Sequence, residues 1–447
     1  MMDTKQTIIV TLLLYFITNL SVKAQDSASI FTLHEILEIA NNNNTEIRKS
    51  LYDIESAKAD NQKARATYLP SVEVSGTYYS TTDPLNAFGF KLQQAIVTQA
   101  DFNPDELNDP GNINNFHTQI KVEQPFINVD AWMGKNAAIK KVKAIHLKSE
   151  YTKKHIHYVL KQTYYALQLA KGRITVIEKA RKASEAYLKM AQDNMEQGYM
   201  KEADVLAIKV RTLELEAQLK AAINQEQSMK ESLNFLIGRD IHLPLEVADS
   251  IHKVDFSFTG FNSVNNRADV LAMQYGMEAR RLMKKSDAFS FAPRINAFAL
   301  YNMYDADLGG FDADSYMFGI HLQWKLFNGG KNIGKFNKSK AAFHKSEIEY
   351  KEYLDKGNME LLQAQRDIAV NESQLITYKT AAEQARESLR IRTNRYKEGM
   401  ERTSDLLMAE ATSAENELKH LNAIYNYNIS VFRYELLSSE STQYTNN

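Results

Sequence analysis

The chain has 447 residues, a formal charge of -1 from Lys+Arg 54 against Asp+Glu 55, and no cysteine. Balanced charge gives no reason to expect nucleic acid as a partner, and the missing thiols exclude a disulfide framework, thiol chemistry and a lipidated N-terminal Cys. Length alone allows two or three domains. Proline carries more information. Its seven positions are Pro70, Pro84, Pro104, Pro110, Pro125, Pro244 and Pro293, which leaves the runs from Pro125 to Pro244 and after Pro293 free for long helices.

Lys5, the apolar run Thr7 to Leu20, and Val22-Lys23-Ala24 before Gln25 fit a cleaved signal peptide over residues 1–24. The apolar core, roughly 14 residues, is shorter than the ~20 of a spanning helix, so a short retained anchor is the alternative. No later segment has a charge-free apolar stretch long enough to span as a helix. The mature chain is therefore expected to be exported, and any membrane crossing must use strands.

Thr32 and Glu35 have capping-box spacing, which opens a helix to about Ala40 that the run Asn41 to Asn44 breaks. A second helix is expected from Thr45 to near Tyr68, where Pro70 stops it. From Ser71 the period falls to two. Val72, Val74, Gly76 and Tyr78 alternate with Ser71, Glu73, Ser75 and Thr77, predicting a strand over about 71–82. Phe116, Thr118, Ile120 and Val122 do the same over about 114–126. The turn-rich segment between them, 83–112, reads as a loop with an unassigned apolar patch at Ala87-Phe88-Gly89-Phe90.

Helical periodicity resumes near Asp130 and continues to Gln197, with a stripe at Ala170, Ile174, Ile177, Ala180, Ser184, Tyr187 and Ala191. At 1.5 Å per residue such a helix is about 100 Å long. A shorter return helix carries a heptad line through Val205, Ile208, Thr212, Leu215, Leu219, Ala222, Glu226, Met229, Leu233 and Leu236, and Gly238 ends it. A second stripe (Leu206, Val210, Leu213, Ala217) lies beside the first, so a neighbour is expected on each side.

After a linker over 239–262 the plan recurs. A helix from about Arg267 to Ala288 meets Phe291-Ala292-Pro293, as Tyr68 and Leu69 meet Pro70. Strands follow over about 294–304, where Phe298 and Leu300 blur the alternation, and about 315–327. A long helix then runs to Glu398, and a return helix carries Leu407, Ala411, Ala414, Leu418, Leu421, Tyr425, Asn428 and Phe432. The tail 439–447 is polar. The expected divisions are thus a first structural repeat over 25–238, the linker, and a second repeat over 263–438.

The turns between long and short helices match each other. Gly198 and Gly399 are each followed six residues later by an Asp (Asp204, Asp405) and two apolar residues. Gly suits a left-handed helix end, and Asp suits a helix start. The two lie about 200 residues apart, too long a period for a solenoid. Four strands with one apolar face have the pattern of outer-membrane barrel strands but cannot close a barrel alone, so several copies would have to share one wall. A water-soluble sandwich, with the apolar faces packed on each other, is the alternative.

With these tips, Leu233-Asn234-Phe235-Leu236-Ile237-Gly238 and the Arg395-Tyr396 lead-in, the chain resembles the TolC-type outer-membrane efflux proteins over essentially its whole mature length. The resemblance implies a mixed membrane protein with an internal two-fold sequence repeat. Four β-strands per chain would contribute to a trimeric 12-stranded outer-membrane β-barrel, continued by a long α-helical barrel. It implies a passive exit duct in the outer membrane of a Gram-negative bacterium, with the helical part in the periplasm. Such a duct is the channel component of a tripartite efflux or type I secretion system. The partners are a homotrimer, a periplasmic adaptor (membrane fusion) protein, an inner-membrane transporter and outer-membrane lipid, with no nucleic acid. It also implies no enzymatic activity and no cofactor. The alternative class is a periplasmic adaptor or coiled-coil structural protein, which normally has one hairpin rather than two.

Carried over by motif, Tyr396 and Asp405 fall on periplasmic gate positions, with Glu401 and Arg402 beside them. Three copies of one acid at a constriction attract cations. Where some members have a second acid, this chain has Met408, so a more apolar gate is expected. Helix capping is the other role open to Asp405 and Asp204. Gly198, Tyr199, Met200, Asp204, Gly399 and Met400 are the candidate adaptor contacts. Gly329 to Lys335 has phosphate-loop spacing, but Phe336 stands where a hydroxyl is needed, so the glycines are read as a turn. His155 and His157 do not share a helix face, and no metal or catalytic constellation is expected.

Overall fold

A computed structural model of the chain describes residues 29–257 and 263–438. The expected signal peptide, the end of the linker (258–262) and the polar tail lie outside the described residues. In chain order, β1 (Ser29–Phe31) precedes α1 (Leu33–Asn43) and α2 (Thr45–Arg65). Next come β2 (Ser71–Thr81), the short helices α3 (Pro84–Gln93) and α4 (Pro104–Asn108), and β3 (Ile113–Ile127). The 68-residue α5 (Val129–Glu196) is followed by the 35-residue α6 (Glu202–Leu236). Then follow β4 (Leu245–Val247), α7 (Ala268–Phe289), β5 (Arg294–Asp305) and β6 (Ala313–Gln323). The 67-residue α8 (Lys331–Lys397) and the 35-residue α9 (Thr403–Leu437) complete the order. Two compact units result, each assembled from separate segments.

One unit comprises Lys49–Tyr151 and Ser263–Met359 and contains an antiparallel sheet in the order β2-β3-β5-β6. Its register keeps the alternation in phase across all four strands. Val74 pairs with Ile120, Ile120 with Tyr301, and Tyr301 with Tyr316 on one face. Ser75, Gln119, Asn302 and Ser315 pair in the same way on the other. A slip of one residue in any pair would mix the two faces. On the polar face, the His117 ring nitrogen and the Gln119 amide both reach Asn302 Oδ1, at 3.0 and 2.9 Å. Phe298, which breaks the sequence alternation, stands on this face opposite Gly319. A Cβ at residue 319 would meet the Phe298 ring at 3.1 Å, so the glycine makes room for the aromatic.

The fourth strand stops at Gln323, short of the expected Phe327. Gln323 pairs with Arg294, the first residue of β5 after Pro293, so Trp324 to Phe327 find no partner strand; the Trp324 indole donates to Phe291 O at 2.9 Å instead. A larger difference lies between β2 and β3. The expected loop holds α3, α4 and a 3₁₀ turn (Gln99–Phe102), and Ala87 in the unassigned apolar patch is fully buried.

The other unit takes the described residues of Met1–Arg48, Thr152–Asn262 and Glu360–Asn447. The Thr32 capping box forms as expected, with both arms present. The asparagine run does not break the helix at residue 41. The helix continues to Asn43, and Asn44 ends it with its own N–H while its side chain accepts from Glu46 N and Ile47 N to start α2. In the linker, β4 pairs in parallel with β1, and Glu246 at the centre of β4 is held by Lys171 and Lys230. Asn428 of α9 straps the linker down, accepting from Val254 N at 3.0 Å and donating to His252 O at 2.7 Å.

On the first expected stripes of α5 and α6, Ala170, Ile177, Ala180, Val205, Ile208, Leu215 and Leu233 are buried, while Thr212, Leu219, Ala222, Glu226, Met229 and Leu236 are half-buried. The second α6 stripe is exposed at Leu206, Val210 and Leu213. On α9 the line is shifted. Leu406 and Ala409 are buried where Leu407 and Ala411 were expected, and the lines meet again at Asn428 and Phe432. A helix with apolar residues on two adjacent faces offers no unique stripe in sequence.

Candidate functional site: the hairpin tips

Both tips belong to the helical unit, and both turns are built alike. Gly198 N donates to Met195 O and Tyr199 N to Asn194 O; Gly399 N donates to Tyr396 O and Met400 N to Arg395 O. These nested bonds satisfy the last carbonyls of α5 and α8. The glycines have φ +80° and +70°, and a Cβ on either would meet no described atom within 4 Å. Glycine is required here for backbone conformation alone.

The aspartates are not caps. Lys201 and Arg402 occupy the N-cap positions of α6 and α9 with extended backbones and no side-chain capping bond. Asp204 and Asp405 stand three residues further in, in the first turn, where a carboxylate faces the positive end of the helix dipole. Ser404 Oγ contacts Asp405 Oδ1 at 3.4 Å.

Beyond the turns the two tips differ. Tyr396, at 6% exposure, belongs to a core with Tyr187, Ala191, Val205, Ile208 and Leu406, so residues of both hairpins surround it. Its ring meets Tyr187 edge-on at 6.3 Å, and its hydroxyl points to Met200 Sδ at 3.9 Å. The Tyr187 hydroxyl bonds Thr393 Oγ1 at 2.9 Å. Burial raises the Tyr396 phenol above its ordinary value. A hydrogen bond with Thr403 opposes the shift, and the Asp204 carboxylate adds to it.

Glu401, just past the second turn and 8% exposed, is clamped by Arg392 Nη1 at 2.5 Å and Arg395 Nε at 3.0 Å. The positions equivalent by distance from the glycine in the first tip are Met200, Ala191 and Asn194, so that tip has no such clamp. Tyr199 projects into solvent at 82% exposure, and Met400 and Met408 are exposed too.

The structure thus joins Tyr396 with Met200, and leaves Tyr199 and Met400 outside that cluster. Sequence reasoning missed Arg392 and Thr393, and had Arg395 only as part of the lead-in motif and Tyr187 only on a helix stripe. A usable signal was present: Arg392 and Arg395, three apart on the last turns of α8, face the same way toward the residue that emerges from the turn. Among the described residues no His/Asp/Glu cluster could hold a metal ion, and no helix is long and apolar enough to cross a membrane.

A four-stranded sheet with one apolar face, joined to two long helical hairpins, is a fold found in outer-membrane channels. The chain is similar to a membrane protein from Pseudomonas aeruginosa (TM-score 0.80, 17% identity, 91% of this chain and 93% of that one). It is similar to the outer membrane protein VceC from Vibrio cholerae (TM-score 0.77, 17% identity, 91% and 95%). It is also similar to the Campylobacter jejuni CmeC outer membrane channel (TM-score 0.79, 15% identity, 91% and 85%). At these identities the likeness is one of fold. No curated protein matches the sequence. The outer membrane efflux protein model matches residues 36–239 and 262–433, and the chain belongs to that family. Its members are channel proteins, not enzymes.

Proposed function

We propose that the chain is the exit duct of a tripartite efflux or type I secretion system, passive in itself and driven by an inner-membrane transporter through a periplasmic adaptor. The observation that carries this reading is the register of the sheet. It gathers Val72, Val74, Ile120, Tyr301, Phe318 and Ile320 on one face, and no described strand covers the outer edge of β2 or β6. Lipid tolerates an apolar face but not open edges, because the unpaired N–H and C=O groups there go unsatisfied. Four strands cannot close a ring, and known barrels start at eight. Three copies close one of twelve, with β6 of one copy beside β2 of the next, and the polar face becomes the lumen wall. The exposed stripe Leu206, Val210 and Leu213 on α6 supports the same reading, as a surface that a neighbouring copy would cover.

On this reading the two halves descend from a duplication, and the helical unit stands in the periplasm with its tips toward the adaptor. Gly198, Tyr199, Met200, Asp204, Gly399 and Met400 form the docking ends. Tyr396, Glu401, Arg402 and Asp405 form the gate, and three copies of Asp405 give a ring that favours cations. Fractionation and bilayer recording test the reading. Protein in the outer-membrane fraction that forms channels in planar bilayers supports it. Protein found only in the soluble periplasmic fraction, with no channel activity, would overturn it.

A further inference from the structure

The segment between β2 and β3 is a folded element with its own internal ties. Asp83 caps α3 by accepting from Asn86 N at 2.9 Å. Lys91 reaches Asp101 Oδ1 at 2.7 Å, with both side chains mostly covered. The other Asp101 oxygen accepts from Thr98 N at 2.6 Å and from the Thr98 hydroxyl at 2.8 Å. Phe88 meets Phe102 edge-on at 5.6 Å. An unstructured surface loop would have no such ties.

The element is also pinned to the sheet, and to one face of it. The Phe90 ring lies 5.3 Å from that of Tyr79. The Gln94 amide donates to Asn114 O at 2.7 Å and to Asn115 Oδ1 at 3.0 Å, and lies 3.4 Å from Asp305 O, so it ties β3 to β5. Asn115 donates back to Gln93 Oε1 at 3.2 Å. Tyr79 and Asn115 are register partners, in phase with Ser75 and Gln119, which places both on the polar face. Asn115 is 1% exposed and Tyr304 on the same face is buried, whereas Tyr78 on the apolar face stays open.

We propose that this element is a plug on the lumen side, which narrows the outer mouth of the duct and sets an upper size for what passes. The inference rests on the exit-duct reading, because only closure of the ring turns the polar face into a lumen. An eight-stranded ring is filled by its own side chains and one of sixteen leaves an open aqueous channel. Twelve strands lie between, so three helices, each about 10 Å across and laid on the inner wall, occupy much of the opening. The segment carries Asp83, Asp101, Asp105, Glu106 and Asp109 against the single Lys91, so the narrowed mouth also disfavours anions.

The chain has no cysteine, which allows a direct test in intact cells. Ser75→Cys places a thiol on the polar face inward of the plug, and Val74→Cys places one on the apolar face beside it. Each is made in the full chain, in a Phe90→Ala/Gln94→Ala chain, and in a chain with 84–111 replaced by Asn-Gly. A small charged maleimide and a polymer-bearing maleimide are applied from outside, and unboiled gels verify assembly of each variant. In the full chain the polymer reagent should label Ser75→Cys about tenfold or more slowly than the small one, and either plug variant should abolish the difference. Equal labelling of Ser75→Cys by both reagents in the full chain overturns the plug. Rapid labelling of Val74→Cys by the charged reagents overturns the exit-duct reading itself, because that position should face lipid.

Discussion

Arg211 on α6 holds Glu410 on α9 in a two-pronged ion pair, Nε to Oε2 at 2.8 Å and Nη2 to Oε1 at 3.3 Å, with Glu410 only 2% exposed. The two residues are 199 positions apart and lie on the return helices of different hairpins. A buried pair of this kind stabilises little against an apolar replacement, but losing one partner strands a charge. Arg211→Met should therefore destabilise the chain by about 3 kcal/mol, at the low end for buried pairs because the arginine keeps some contact with solvent. Adding Glu410→Leu should restore most of that loss. Unfolding of the detergent-extracted protein in a double-mutant cycle checks this, and strictly additive losses would refute the pairing.

The glycines at the helix ends separate two causes of strain. Gly399→Ala meets no described atom and should cost about 1–2 kcal/mol, from its left-handed backbone alone. Gly238→Ala should cost clearly more, since its Cβ would stand 2.5 Å from Asn43 O. Equal losses in thermal unfolding would contradict the difference.

At the second tip, Glu401→Gln removes the charge that holds Arg392 and Arg395. Channels of this variant should open more readily in planar bilayers, and unchanged opening would contradict a clamp at Glu401. Asp405→Asn should lower the cation preference of the open channel. Because neither aspartate is a helix cap, unchanged preference would leave Asp405 with only its favourable place on the helix dipole. Met400→Asp should weaken efflux without loss of assembled protein, and full efflux would remove the docking role.

Acid should loosen the two units at different pH. Burial lowers His157 to about 4 from an ordinary 6.5, with Lys153 and Lys161 pushing the same way. Its neutral ring donates to Asn41 Oδ1 at 2.8 Å. The unfolded chain binds the extra proton first, so stability falls as pH drops from about 6.5 toward about 4. Asp101 is lowered to about 2 from 3.8 by its bond to Lys91 and then by those to Thr98. Its contribution is fully present above about 3.8 and is lost as pH falls through about 2. His157→Gln should flatten the fall of melting temperature between pH 6.5 and 4; an unchanged slope would contradict a neutral buried ring.

Much of this molecule was legible in sequence because its elements are long and periodic. The lengths of α5 and α8, the alternation in β2, β3 and β6, and the glycine turns all follow from local spacing. The plug was not legible, since α3 is only 10 residues and its apolar residues pack on Tyr79 and Phe102 rather than along a repeated stripe. The β1–β4 pair was missed because strands of 3 residues separated by over two hundred positions show no period. At the tips the sequence offered Tyr396 and Glu401 as candidates but did not show the side chains that hold them. Partner choice across a turn, or between hairpins, depends on tertiary packing that no local pattern encodes.

The central claim is that the apolar face of the sheet meets lipid in a wall shared by three copies. Native mass measurement of protein extracted from the outer membrane in detergent tests it most directly. A particle of three chains is the expected result. A single chain that stays in solution once detergent is removed would contradict it.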